Sequence, residues 1–441
     1  MKHFLFIILL IWTFVPSFAG YIVTGGAGIP LLAEDNKNNH LQVYLLNGIE
    51  NATISFTSTG SETHQWFKYK ESAMGATAIS CVQTGNSSYI TDIEDGCGYF
   101  VGLPTVPSTE YIWIIDYSRY LPLFYKIEYM EEEDRCQFLK IVADVEAKDL
   151  SYRTPLGAPA KLAREYNLTY RTQKWEEADR LFLSENINQP WGGEGVITEI
   201  TIDAPLENTD FTLTGDQFAK HFGLELSMRT PLYEAVALEV YGFAETDNVK
   251  SSNELGNAGG GSAVLGGSAP ITYTFSAYAN EPVAAFYIWK IIYNPNSNTE
   301  ETKVRYTDKT LRYTFEQEGI YSVQLEVIDS KSACTDNKTN FTVHIDSTQI
   351  EIPNFFSPGT SIGVNDEFKI AYTSLLTFKA SIYNRMGNLL YQWTDPTKGW
   401  DGRVNGKFVP TGAYVVIVEY TDVFGKKKSK SRTLNILRAK Q

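Results

Sequence analysis

The sequence predicts an all-β chain built from several β-sandwich modules, and three observations carry that expectation. Aromatic residues fill 13% of the 441 positions, with 27 Tyr, 24 Phe and 8 Trp, and aromatic and β-branched side chains suit pleated, half-buried surfaces. The apolar runs are short and alternate with polar residues between turn residues, the period of half-buried strands. A chain of 441 residues also exceeds what one hydrophobic core serves, so two to four domains are expected.

At the N-terminus, Lys2 precedes the apolar run FLFIILLIWTFV (4–15) and then PSFAG (16–20). This reads as a secretory signal peptide over residues 1–19, with a small-x-small cleavage site at Ser17, Phe18 and Ala19. No Cys follows the run, so no lipoprotein anchor is expected. No other segment reaches the ~20 apolar residues that span a bilayer, so no transmembrane segment is expected.

From residue 20 to about 120, LQVYLL (41–46), ATISFTS (52–58), THQWFKY (63–69), SSYITDIEDGCGYFV (87–101) and EYIWIIDY (110–117) read as successive strands. Trp66 on a mid-chain strand and the string from Asp95 to Tyr99 resemble the core Trp and tyrosine corner of immunoglobulin-type sandwiches. Residues 121–250 read as a second β-rich domain, with strands at FYKIEYM (124–130), QFLKIVADV (137–145), VITEITID (196–203) and YEAVALEVYGFA (233–244). A helix is expected at TQKWEEADRLFLSE (172–185), and a shorter one at DQFAKHFG (216–223) ending on its Gly. The Gly/Ser-rich stretch 251–270 reads as a linker. Residues 271–348 then supply ITYTFSAYAN, FYIWKIIY, LRYTFEQEGIYSVQLEVIDS and FTVHID as strands. The string GIYSVQLEVIDS (319–330), together with Trp289, resembles the polycystic-kidney-disease-type (PKD) Ig-like domain.

The last module, 349–441, has its own strand pattern. LTFKASIY (376–383) alternates, NRMGN (384–388) supplies a turn, and LLYQW (389–393) returns. AYVVIVEYTD (413–422) is apolar on both faces, as a strand covered on both sides would be, and TLNIL (433–437) closes the sheet. The order IPNFFSP, GVNDEF, IYNRMG, GWDG, PTGAYVV and a final apolar strand resembles the type B C-terminal sorting domain of the type IX secretion system, also called the gliding-motility-associated C-terminal domain, of Bacteroidota. This sequence departs from that family in its loop PGTSIGVND, where a Pro-Asn-Gly-Asp-Gly run is usual, and at Met386, where Trp is common. The resemblance implies a delivery address read by the type IX machinery at the outer membrane. It singles out Asn365, Asp366, Asn384, Arg385, Gly387, Trp400, Asp401, Gly402, Gly412 and Tyr414 as turn and corner positions that fix the sandwich.

Composition narrows the partners. A net charge of -14 argues against nucleic acid or an anionic membrane, which need a basic footprint. The one basic run, Lys426, Lys427, Lys428, Lys430 and Arg432, reads as a solvated hairpin tip. The four cysteines, Cys81, Cys97, Cys136 and Cys334, allow three pairings. The short loop Cys81 to Cys97 is favoured as a disulfide, which would contribute on the order of 3 kcal/mol by limiting the unfolded chain.

Nothing in the pattern assembles a catalytic or metal site, and no cofactor is expected. His40, His64, His221 and His344 are scattered, no Cys/His cluster of zinc spacing occurs, and the Gly-rich stretch lacks a phosphate-loop lysine. The acidic run 131–134 reads as a solvated turn. Asp346, Ser347 and Thr348 match a short bacterial O-glycosylation pattern. The expectation is a non-enzymatic, exported cell-surface or secreted protein of tandem Ig-like β-sandwich modules with a C-terminal β-sandwich sorting domain. A carbohydrate-binding or adhesive protein, with a surface glycan or protein as ligand, is the alternative, and a glycan-directed hydrolase comes third.

Overall fold

A computed structural model describes residues 20–102, 110–193, 198–255, 265–294, 301–359 and 366–437; the expected signal peptide lies outside them. The described residues are strands and turns with one short α-helix, so the all-β expectation is borne out. Two compact units divide the chain: residues 1–172, 185–204 and 208–234 form the first, and residues 173–184, 205–207 and 235–441 the second.

In the first unit, the six-stranded sheet runs Leu31–Asn36, Leu41–Leu46, Tyr111–Asp116, Cys97–Gly102, Gln65–Tyr69 and Thr77–Ile79. It faces a four-stranded sheet of Gly20–Thr24, Thr53–Thr57, Ser87–Ile90 and Val82–Thr84. Trp66, Tyr99, Ile112 and Ile114 fill the space between the sheets. The Tyr99 hydroxyl accepts from the Glu94 N–H at 2.8 Å, the backbone anchor expected of a tyrosine corner. The outer face of the larger sheet is buried as well. Leu41, Val43, Leu45, Trp113 and Ile115 share a core with Leu150, Tyr152, Leu162 and Phe218 from the following module. Runs such as LQVYLL and IWII are therefore apolar on both faces because both faces are covered.

The following module joins Leu123–Met130, Phe138–Glu146 and Glu199–Asp203 in one sheet. A second sheet holds Leu181–Gly193, Arg164–Glu176, Thr212–Thr214 and Ser227–Arg229. The helix expected over 172–185 does not form. That stretch is the tip of the long hairpin, with Arg180 in the left-handed region at φ 53°. Aromatic packing outweighs the helix propensity of its Glu and Leu residues: Trp175 stacks on Tyr241 at 4.4 Å and meets Phe182 at 5.2 Å. The short helix Gln217–His221 does form. Asp216 caps it by accepting from the Ala219 N–H at 2.8 Å, and Gly223, at φ 68°, ends it.

Within the second unit, Val240–Glu245, Ile271–Ala279 and Thr310–Phe315 face a sheet of Leu265–Gly267, Asn340–Ile345, Gly319–Asp329, Ala284–Tyr293 and Glu301–Tyr306. Phe275, Trp289, Phe315 and Tyr321 fill this core. Two boundaries differ from the sequence reading. The strand from 240 to 245 pairs with Ile271–Ala279, so its apolar face belongs to this third sandwich. The stretch 251–270 is not simply a linker, because Leu265–Gly267 runs parallel to residues Val343, His344 and Ile345.

The last sandwich orders Phe355–Phe356, Lys427–Ile436, Gly412–Thr421, Thr377–Tyr383 and Leu389–Trp393. Its separate core contains Phe356, Phe368, Ile370, Ile382, Trp400, Val416, Val418 and Leu434.

Candidate functional site

The motif positions of the last sandwich gather mainly at its turns. Asn384 closes the turn after Thr377–Tyr383: its Oδ1 accepts from the Met386 and Asn388 N–H groups, both at 2.9 Å. Gly387 sits at φ 81° in that turn with open space where a Cβ would be. Arg385 is exposed there. Its charge reaches Tyr414, where it partly opposes the upward push that burial gives the phenol.

A second group surrounds Trp400, which is fully buried. Its indole N–H donates to the Arg403 carbonyl at 2.9 Å, and its ring packs between Phe356 and Tyr391. Paired backbone bonds tie Trp400 to Phe368, at 2.7 and 3.0 Å. Asp401 turns the chain by accepting from the Arg403 N–H at 3.0 Å. Gly402, at φ 81°, is pressed against Pro358, whose Cγ would lie 2.7 Å from an added Cβ. Asp366 accepts from the Gly359 N–H at 3.2 Å, while Asn365 lies outside the described residues.

Gly412, at φ 152°, opens the strand that carries Tyr414. The Tyr414 hydroxyl donates to the Pro410 carbonyl at 2.7 Å. Each of these contacts shapes backbone, and none assembles an acid, base or nucleophile around a cleft.

Two sequence expectations are corrected here. The basic run is exposed, as a solvated tip would be, but it extends past the turn into the strand Lys427–Ile436. Lys430 donates to the Ile350 carbonyl and Arg432 to the Ile352 carbonyl, both at 2.7 Å, while Lys428 pairs with buried Asp422 at 2.8 Å. This pairing holds the Asp422 carboxyl below its usual range. Lys430 and Arg432 therefore satisfy two carbonyls of the incoming segment 350–352. The disulfide Cys81 to Cys97 is absent, and both are free thiols. Cys81 donates to the His64 carbonyl at 3.6 Å, and buried Cys97 to Glu94 Oε2 at 3.7 Å. Each thiol is thus turned to its own acceptor.

The acidic run is exposed, and two of its carboxylates are ion-paired: Glu131 meets Arg135 at 2.8 Å and Glu132 meets Lys140 at 2.7 Å. Among the described residues no group of three His, Cys, Asp or Glu side chains is placed to hold a metal ion, and no helix is long and apolar enough to cross a membrane. Sequence reasoning missed two buried polar centres: the Arg164 and Asp216 pair with the Tyr117 hydroxyl, and the contact of His64 with Ser58 and Ser88 at 2.9 and 2.7 Å. For the second, the sequence signal is a His two residues before a core Trp.

The family that decides the reading covers this last sandwich. Residues 350–436 match the CHU_C type IX secretion signal domain. Residues 128–230 match a fibronectin type III domain, which supplies a fold for the module that the sequence left without one. The chain thus carries a type IX export signal behind a fibronectin type III domain. No curated protein matches the chain.

Solved structures similar to it include a Ca2+-stabilized adhesin with which an Antarctic bacterium binds ice, at 10% identity over 90% of this chain and 96% of that one, with a TM-score of 0.20. A biofilm-associated protein BSP domain aligns at 9% identity over 96% and 97%, with a TM-score of 0.19. At such scores the likeness carries no weight for function.

Proposed function

We propose that this is an exported, non-catalytic surface or secreted protein. In this reading the signal peptide over residues 1–19 takes the chain across the inner membrane, and the last sandwich is the address by which the type IX machinery delivers it outside. The observation that carries the reading is the match over residues 350–436, supported by a sandwich with its own core and turn residues. What this sandwich offers a receptor is shape: glycines at positive φ, Asx turns and a tyrosine anchor fix loops that can be read without any reactive group. Truncation after residue 349 tests this. Loss of surface protein with accumulation inside the cell is expected, and normal surface amounts would remove the reading.

A glycan ligand is favoured by one feature of the third sandwich. A groove of about 670 Å3 is lined by Phe286, Ile288, Asp308, Lys309 and Glu281, with Phe286 53% exposed at its rim. Glu281 pairs with Lys309 at 2.5 Å and accepts from the Tyr287 hydroxyl at 3.0 Å. An exposed aromatic face beside paired charges suits the C–H face and hydroxyls of a neutral sugar. Titration with cellohexaose and xylohexaose, following the tyrosine and tryptophan signals, is expected to saturate and to weaken in Phe286→Ala. An equal response in the variant would remove this ligand.

A further inference from the structure

The expected linker contains a strap that closes one edge of the export sandwich. The short strand Ala371–Thr373 pairs on one side with Gln349–Glu351. On its other side Glu254 forms a parallel bridge to Tyr372, with the Leu255 N–H donating to the Tyr372 carbonyl at 2.7 Å and the Tyr372 N–H to the Asn253 carbonyl at 3.1 Å. Asn253 does more than pass through. Its Nδ2 donates to the Ile370 carbonyl at 2.7 Å and to the Pro396 carbonyl at 2.8 Å, two points 26 residues apart in sequence. Its Oδ1 accepts from Ser251 Oγ at 2.7 Å, so the whole amide is used. Ile370 and Tyr372 belong to the sandwich core. Without residues 251–255 a core-bearing strand would therefore end in an open edge, which proteins ordinarily cover.

The strap's position in the chain matters. It lies between Val240–Glu245 and Leu265–Gly267, two strands of the third sandwich, so the chain leaves that sandwich, ties the last one and returns. A second tie sits nearby. Ser374 is fully buried at φ 49°; its Oγ accepts from the Ala269 N–H at 3.0 Å and donates to the Asp346 carbonyl at 2.6 Å. Thr348 Oγ1 donates to the Ser374 carbonyl at 2.6 Å and accepts from the Val423 N–H at 3.1 Å, while Val423 packs into the third core.

We propose that residues 251–255 are part of the export signal. Asn253 is a positioning residue that holds Ala371–Thr373 in the closed-edge form, and the machinery reads the last sandwich in that form. This rests on the delivery reading above, and it places the functional signal across a longer stretch than 350–436.

The test uses the full chain in a type IX-competent cell, with Asn253→Asp, which sets a carboxylate against two carbonyls, and Leu255→Pro, which removes the N–H given to Tyr372. Surface amounts are compared with amide exchange and thermal unfolding of the purified chains. The expected result is at least a ten-fold loss of surface protein in both variants, with faster exchange confined to residues 370–373 and the core transition retained. Normal surface amounts in variants whose exchange shows the strap released would overturn the proposal. So would loss of export accompanied by melting of the whole sandwich, since Asn253 would then be only structural. Truncation after residue 349 in the same cells reports separately on the delivery reading: if that chain still reaches the surface, the address has failed and not the strap.

Discussion

The Tyr414 hydroxyl reaches back four residues to the Pro410 carbonyl at 2.7 Å, and Tyr321 does the same to Gln317 at 2.9 Å in the preceding sandwich. Both rings lie in their module's core while the oxygen fixes the loop before the strand. The arrangement satisfies a carbonyl that neither sheet can reach, and it sets where the strand begins.

Tyr414→Phe and Tyr321→Phe should each lower the unfolding free energy by about 1 kcal/mol, the net worth of one such hydrogen bond. Because the two rings sit in separate cores, the double variant should lose the sum to within about 0.5 kcal/mol. Urea midpoints measure this, and an unchanged midpoint in either single variant would show that the hydroxyl anchors nothing.

The two turn glycines should separate conformational strain from collision. Gly387 and Gly402 share φ 81°, but a Cβ at Gly387 meets open space, whereas one at Gly402 meets Pro358 and Phe356. Gly387→Ala should cost about 1 kcal/mol, the left-handed penalty alone. Gly402→Ala should cost more, about 2–4 kcal/mol, because a packed neighbour must also shift. Equal losses in thermal unfolding would mean that the Pro358 contact relaxes freely.

Much of the fold is legible in the sequence. Alternation in LTFKASIY and the turn chemistry of NRMGN are local signals, and local signals determine strands and hairpins. The Trp66 core and the Tyr99 anchor were also readable, because their residue types are demanding. What stayed hidden depends on partners distant in sequence. Trp175 sits in a strand where Tyr241, Phe243 and Tyr278, all distant in sequence, lie against it. The basic residues of the last strand read as a tip alone because the acceptors of Lys430 and Arg432, the carbonyls of Ile350 and Ile352, lie 80 residues away. Asn253 sits in a Gly/Ser-rich stretch whose composition says only that it need not be regular. The Cys81 and Cys97 expectation failed for a related reason: a short loop makes closure cheap, but side-chain direction decides whether two thiols meet.

A buried charge cluster should dominate the stability of the first unit. Arg164 pairs with Asp216, which also accepts from the Tyr117 hydroxyl at 2.6 Å and caps the short helix. The guanidinium further donates to the Tyr120 and Lys148 carbonyls at 2.7 and 2.8 Å. Arg164→Met would leave the fully buried Asp216 without its cation, a loss of about 3–5 kcal/mol. Adding Asp216→Asn should recover part of it, since the unpaired charge is gone while the helix cap is kept. Calorimetry reads both, and a double variant no more stable than Arg164→Met would argue against charge as the cause.

The last prediction concerns acid. The indole N–H of Trp66 donates to Ser88 Oγ at 2.7 Å, which leaves the Ser88 hydrogen for Nδ1 of His64, also at 2.7 Å. His64 Nε2 then carries the ring hydrogen and gives it to Ser58 Oγ at 2.9 Å, and Ser58 passes its own to the Gly60 carbonyl at 2.6 Å. Every donor has an acceptor only when the ring is neutral. A proton on Nδ1 would confront the Ser88 hydrogen in a site where His64 is 3% exposed, and burial accordingly lowers the His64 pKa from its usual 6.5. In the unfolded chain the ring takes a proton near 6.5, while the folded chain resists until lower pH. Stability is therefore complete above 6.5 and falls as pH drops from there toward the folded value. His64→Gln, which can accept and donate but cannot titrate, should flatten that part of the profile. Unfolding midpoints of wild type and variant between pH 5 and 8 measure it. Parallel curves through that range would show that His64 does not contribute to the acid sensitivity of the first sandwich.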